Sequence, residues 1–112
     1  MMIIHRAVAV LAVLLLSACA QLGVQPPQSL GERLAYAYGV NTAVRDASTS
    51  ALVAGEITPD DMANVIELAD QARGLLDGAR MAYGAGDLAA AESRLALATS
   101  VLVQLQTYLR AR

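Results

Sequence analysis

Few side chains in these 112 residues can do covalent or acid–base chemistry: one cysteine, Cys19, one histidine, His5, and ten carboxylates. A thiol reacts as its thiolate and needs a neighbouring base, cation or metal to lower its pKa. Cys19 has no second cysteine to pair with, and His5 lies upstream of it at the start of an apolar run. The adjacent carboxylates Asp60-Asp61 form a pattern that can hold a cation or share a proton. They stand, however, in Thr58-Pro59-Asp60-Asp61. There Thr58 is suited to cap a helix, Pro59 to its first position, where no donor is needed, and the aspartates to the positive end of the helix dipole. Capping accounts for both carboxylates. Ser93 and Ser100 carry hydroxyls, but the chain beyond His5 has no histidine and no lysine to activate them. No glycine-rich phosphate loop or metal-binding loop is visible. The residue types therefore point away from an enzyme and imply no cofactor and no metal site.

The context of Cys19 is more specific than its chemistry. A short start carrying the terminal amine, His5 and Arg6 precedes the uninterrupted apolar stretch Ala7 to Leu16. This is the basic-then-apolar pattern of an export signal. The stretch is about half the roughly twenty residues that a spanning helix needs, and it gives way to Ser17, Cys19, Gln21 and then Pro26-Pro27. One reading is an ordinary secretory signal, with Ser17-Ala18-Cys19-Ala20 as a small-residue cleavage region and a free thiol left over. The other assigns the lone exported thiol a purpose.

The tetrapeptide Leu16-Ser17-Ala18-Cys19 resembles the lipobox of bacterial lipoproteins. The resemblance implies diacylglycerol on the Cys19 thiol, cleavage before Cys19 and acylation of the new amine with a chain of the palmitate kind. One acyl chain anchors only marginally, at about 0.8 kcal/mol per buried methylene, so two or three would hold the protein at the bilayer almost permanently. In Gram-negative lipoproteins an acidic residue after the cysteine favours inner-membrane retention. Here Ala20, Gln21 and Leu22 follow, which implies the outer membrane, facing the periplasm. On this reading residues 1–18 are a cleaved signal peptide, 19–28 a lipidated N-terminus with a short proline-containing tether, and 29–112 a folded domain.

About ninety residues remain after such cleavage, enough for one small domain. Aromatic content is 4%, all tyrosine, so leucine, valine, isoleucine and alanine must supply the core. Seven arginines stand against ten carboxylates beyond residue 18, a net charge of about −3. With no basic run and no positive field, nucleic acid is not an expected partner. The chain contains no lysine. A covalent peptidoglycan link through a lysine amine, as made by the abundant helical outer-membrane lipoprotein, is therefore not expected either.

Three helices are predicted to build the domain. Ser29, with Glu32 three residues on, suits a capping box for a first helix over about 30–54. Leu30, Leu34, Ala37, Val40, Val44, Ala47, Ala51 and Ala54 form its face, Arg33, Arg45 and Asp46 its far side, and Gly55 a left-handed terminator. A second helix over about 59–83 follows the Thr58 cap. Its seam is Met62, Val65, Ala69, Ala72, Leu76, Ala79 and Tyr83, broadened by Ile66, Leu68 and Leu75. Glu67, Asp70, Arg73, Asp77 and Arg80 make up a solvated outer face. Gly84-Ala85-Gly86-Asp87 turns the chain into a third helix over about 87–111, whose seam is Leu88, Ala91, Leu95, Ala98, Leu102, Leu105 and Leu109. Gly86-Asp87-Leu88 with Ala91, Leu95 and Ala98, and with Leu75 and Ala79 upstream, resembles the middle of a tetratricopeptide helical hairpin. The chain lacks a second copy and a closing proline near Val103, so the resemblance implies only a tight antiparallel hairpin.

Helices of about 25 residues, roughly 37 Å long, joined by short connections make an all-α, antiparallel up-down-up three-helix bundle. The expected function is that of a non-catalytic, membrane-anchored module. Its partners would be the lipid bilayer, through acylated Cys19, and either an envelope protein or a second copy of itself. The competing expectation is a phage-type lipoprotein that disrupts the envelope or assists lysis.

Overall fold

The computed structural model describes residues 29–112; Cys19, the signal peptide and the tether expected from the sequence lie outside the described residues. The fold is all-α: α1 (Leu30–Val53), α2 (Pro59–Gly84) and α3 (Leu88–Arg110). They pack as an up-down-up three-helix bundle, so α1 and α3 run parallel to each other and antiparallel to α2.

Each helix begins where a side chain satisfies its free N–H groups. Ser29 Oγ accepts from Glu32 N at 3.1 Å. At the start of α2, Thr58 Oγ1 accepts from Asp61 N at 3.1 Å and Asp61 Oδ2 from Thr58 N at 3.0 Å, a reciprocal box that silences two donors. Asp87 Oδ1 accepts from Ala90 N at 3.1 Å. The first two helices end alike. Gly55 (φ 74°) and Gly86 (φ 80°) adopt the left-handed backbone that side chains resist. The next amides then reach back, Glu56 N to Ala51 O at 2.8 Å and Asp87 N to Ala82 O at 2.9 Å. These are Schellman closures. Asp87 thus closes α2 with its amide and opens α3 with its carboxylate, which fixes a turn of only Ala85-Gly86-Asp87 between them.

The core is one seam per helix, stepping by threes and fours. In α2 and α3 it matches the expected face: Val65, Ala69, Ala72, Leu76 and Ala79 meet Ala91, Leu95, Ala98, Leu102 and Leu105, all buried. Ala69, Ala72, Ala79, Ala91 and Ala98 are 0% exposed. Alanine at these positions lets the helix backbones approach closely, and packing density replaces the missing aromatic area. The ends of the seams differ from expectation. Tyr83 and Leu88 lie at the α2–α3 turn and are 44% and 56% exposed, while Ala82 takes the buried place. Leu68 faces outward as well. Ile57, in the loop before the Thr58 cap, is 5% exposed; it occupies the position from which a staple residue sets a helix's entry angle.

α1 departs most from the expected face. Its buried row is Leu34, Ala37, Asn41, Val44, Ser48 and Ala51. Asn41 and Ser48 hold seam positions, whereas Val40 is only partly buried and Ala47 and Ala54 are exposed. A strict heptad through Leu34, Ala37, Val44 and Ala51 requires 41 and 48 inside, whatever their polarity. Both polar groups find partners within the bundle.

Candidate functional site

The polar side chains that the sequence marked as solvated faces are mostly helix-to-helix ties. Asn41 Nδ2 donates to Ala69 O of α2 at 2.8 Å, and Asn41 Oδ1 accepts from Arg45 Nε at 2.8 Å. Arg45 then reaches Asp70 Oδ1 at 2.7 Å. Arg45 therefore lies on the flank of α1 that meets α2 and not on its far side. Ser48 Oγ donates to Arg45 O at 2.8 Å, inside its own helix. One to two turns away the Tyr38 hydroxyl donates to Asp77 Oδ1, and the Arg80 guanidinium sits 5.8 Å from the Tyr38 ring centre. Burial first, then the hydrogen bond and charge of Asp77, raise the Tyr38 phenol above its ordinary value of 10.0, partly opposed by Arg80 and Arg73. Asp70, Asp77 and Arg80 are thus contacts with α1 and not a free outer strip.

On the opposite flank, α1 meets α3 through the Arg33–Glu92 ion pair, which holds the Arg33 guanidinium above its usual pKa. Between α2 and α3, Arg94 Nη1 donates to Gly78 O at 3.0 Å. Asp61 titrates below the ordinary carboxyl range because the Thr58 amide and hydroxyl hydrogen-bond it. Asp61 is thereby a cap residue, Asp60 stands exposed in the same first turn, and Ser93 and Ser100 lie exposed on α3. Among the described residues, no three His, Cys, Asp or Glu side chains converge as a cation cage, and no buried side-chain polar atom lacks a partner.

What is left open is a groove. Among the described residues the polar ties of α1 run to α2 through Tyr38, Asn41 and Arg45 and to α3 through Arg33; beyond the Arg33–Glu92 pair the outer edges of α1 and α3 do not close. They leave a trough of about 730 Å³ whose walls include Tyr36, Val40, Leu95, Leu102 and Val103, with the hydroxyls of Thr99 and Ser100 among them. It continues as a shallower trough past Ala43, Ala47, Gln106 and Leu109 to Arg110. Arg33 and Glu92 mark one end and Arg110 the other, with no charged side chain lining it between them. Tyr36 (62%) and Val103 (51%) are conspicuously exposed for their size. The chain matches no known family model, no curated protein and no solved structure.

The sequence carried the groove in a form that seam-counting passes over. α1 has a second apolar row, Tyr36, Val40, Ala43 and Ala47, beside its core row, and α3 holds only Glu92, Arg94 and Arg110 as charges. By length and composition α3 is apolar enough to cross a bilayer, with mean hydropathy 1.3 over its best window. In the bundle one of its faces is core. The remaining apolarity lies on the outer face, in Ala89, Ala96, Leu97 and Val103.

Proposed function

We propose that this protein is a non-catalytic lipoprotein, held to the membrane through acylated Cys19, whose bundle presents the α1–α3 groove as a protein-interaction surface in the cell envelope. The observation that carries the interaction reading is the contrast between the two flanks of α1. Toward α2 the polar side chains are spent on internal bonds, Asn41 to Ala69 and Arg45 to Asp70. Toward α3 an uncharged trough stays uncovered. A contiguous apolar trough with charges only at its ends, Arg33 and Glu92 at one and Arg110 at the other, is the kind of rimmed surface that contact sites use.

The anchoring reading rests on Leu16-Ser17-Ala18-Cys19 and the apolar leader before it. One feature of the bundle agrees with it. Residues 1–28 join α1 at the end where the α2–α3 turn lies, because a Cβ on Gly31 would stand 3.5 Å from the Tyr83 hydroxyl. At that end Tyr83, a residue type suited to headgroup level, is exposed with Leu88 beside the same turn. A tether of nine residues, 20–28, reaches at most about 30 Å. Outer-membrane placement facing the periplasm follows from Ala20-Gln21 after Cys19.

Intact mass of the protein from its native envelope, combined with crosslinking there, tests both parts. The expected outcome is a chain starting at Cys19, heavier by its acyl groups, with a specific crosslinked protein attached at the groove. An unmodified thiol removes the anchor. Lysis of cells on expression, with no crosslinked protein, supports the envelope-disrupting alternative instead.

A further inference from the structure

We propose that the occupant of the α1–α3 groove is a second copy of this chain, seated as a parallel, two-fold symmetric dimer. The proposal deepens the interaction reading above and rests on it. Because α1 and α3 are parallel, a two-fold axis running along the groove, just above its mouth, sets α1 of one protomer over α3 of its partner at the same height. Arg33 then faces the partner's Glu92, and Glu92 faces the partner's Arg33. Both side chains have room for this, since in the single chain they pair while remaining 39% and 48% exposed. The four charges close into a ring of alternating sign.

The rest of the groove supports the same occupant. Its walls beyond the ion pair are small or uncharged, with Val40, Ala43 and Ala47 on α1 and Ala96, Val103 and Gln106 on α3. A charged partner would be desolvated there without compensation. An uncharged surface with apolar side chains standing out of it fits, and the exposed Tyr36 and Val103 beside the groove supply them. From Glu92 to Arg110 it runs about 27 Å at 1.5 Å per residue, across two helices each about 10 Å wide. That footprint is at most about 500 Å² per chain and about 1,000 Å² in all, the lower limit for a specific interface. Such a contact is weak in dilute solution and is favoured where anchoring confines both copies to one surface. The axis direction follows from the same constraint. The antiparallel alternative pairs Glu92 with the partner's Arg110 but sets the starts of the two α1 helices at opposite ends, whereas the parallel form sets both at one end.

The test uses the full chain in its native envelope. A photo-crosslinking amino acid replaces Val103 in the groove or, as a control, Glu67 on the exposed face of α2. A crosslinked product of twice the chain mass from position 103 and not from 67 is expected. Arg33→Glu and Glu92→Arg, each shown by circular dichroism to keep its helicity, are each expected to weaken this product about tenfold through like charges across the axis. Co-expressed with different tags, the two variants are expected to crosslink to each other at wild-type yield, because acidic and basic ends then face one another. A foreign protein at position 103 overturns self-association and leaves the interaction-module reading standing. No product from position 103 overturns both. Variants that fail to restore each other while wild type dimerises overturn the parallel arrangement.

Discussion

Asn41→Ala is the sharpest perturbation of the bundle because one buried amide ties α1 to α2. Asn41 is 2% exposed, and its side chain makes one bond to the Ala69 carbonyl and one to Arg45. The first, neutral and buried, contributes about 1 kcal/mol, and the second, to a charged donor, about 1.5 kcal/mol. The Ala69 carbonyl keeps its helical partner, so no acceptor is orphaned and no further penalty arises. Alanine regains about 0.5 kcal/mol of helix propensity, for a net loss of about 2 kcal/mol. In a domain of this size each kcal/mol shifts the midpoint by roughly 4–8 °C, so thermal unfolding followed by circular dichroism should show a drop of about 8–16 °C. Asp70→Asn is the internal comparison. Its carboxylate is 64% exposed, and loss of a pair that open to water costs at most about 1 kcal/mol. A drop below about 4 °C for Asn41→Ala, or an equal drop for Asp70→Asn, refutes the claim that the amide is the principal polar tie.

Three further outcomes follow from particular contacts. The raised pKa of Tyr38 makes its contribution fully present below pH 10, the unfolded value, and lost as pH rises through the folded one; an alkaline fall in thermal midpoint should be present in wild type and smaller in Tyr38→Phe. Gly86→Ala places a side chain at φ 80° and should cost about 1–2 kcal/mol, whereas Gly74→Ala, in mid-helix with nothing within 4 Å of its new Cβ, should gain about 1 kcal/mol; denaturant midpoints check both, and equal signs would contradict the backbone assignment. Leu102→Asp puts a carboxylate where the side chain is 2% exposed, beyond the usual 0.5–3 kcal/mol range of point mutations, and helicity should collapse; a wild-type circular dichroism spectrum and midpoint would contradict the core.

How legible the bundle was from its sequence depended on which signal a helix carries. α2 and α3 announce themselves twice, by caps (Thr58-Pro59, Asp87) and by seams such as Leu95, Ala98, Leu102 and Leu105 in which apolarity and heptad position coincide. In α1 the two signals disagree. Val40 and Ala47 are more apolar than Asn41 and Ser48, so hydrophobicity alone selects a face rotated from the buried one. The α2 contact overrides it, since in the seam Asn41 satisfies both ends of its amide within the protein. Ion pairs were invisible for a related reason. Spacings of three and four along α2 show which charges share a face, but Arg45–Asp70 and Arg33–Glu92 join different helices, and sequence spacing carries no information about that. The groove follows from the same rotation: the apolar row that the core does not use is left outside.

The two flanks of α1 thus have a common cause. A helix that spends two seam positions on Asn41 and Ser48 buries less apolar area than its neighbours, and its attachment leans on directional bonds, which specify register at some cost in stability. Those bonds point toward α2. On the α3 side the polar tie among the described residues is Arg33–Glu92, at one end, and Ala43 and Ala47, small and exposed, leave the trough beside them open. α1 is therefore the helix whose hold on the bundle gains most from outside contact. A ligand that binds only the assembled form stabilises that form by mass action, and anything covering Tyr36, Val40 and Val103 touches α1 and α3 together. Occupancy of the groove and docking of α1 are coupled for this reason, whatever the identity of the occupant. Amide exchange in α1 should slow on binding more than in α2, whose seam is already closed on both sides.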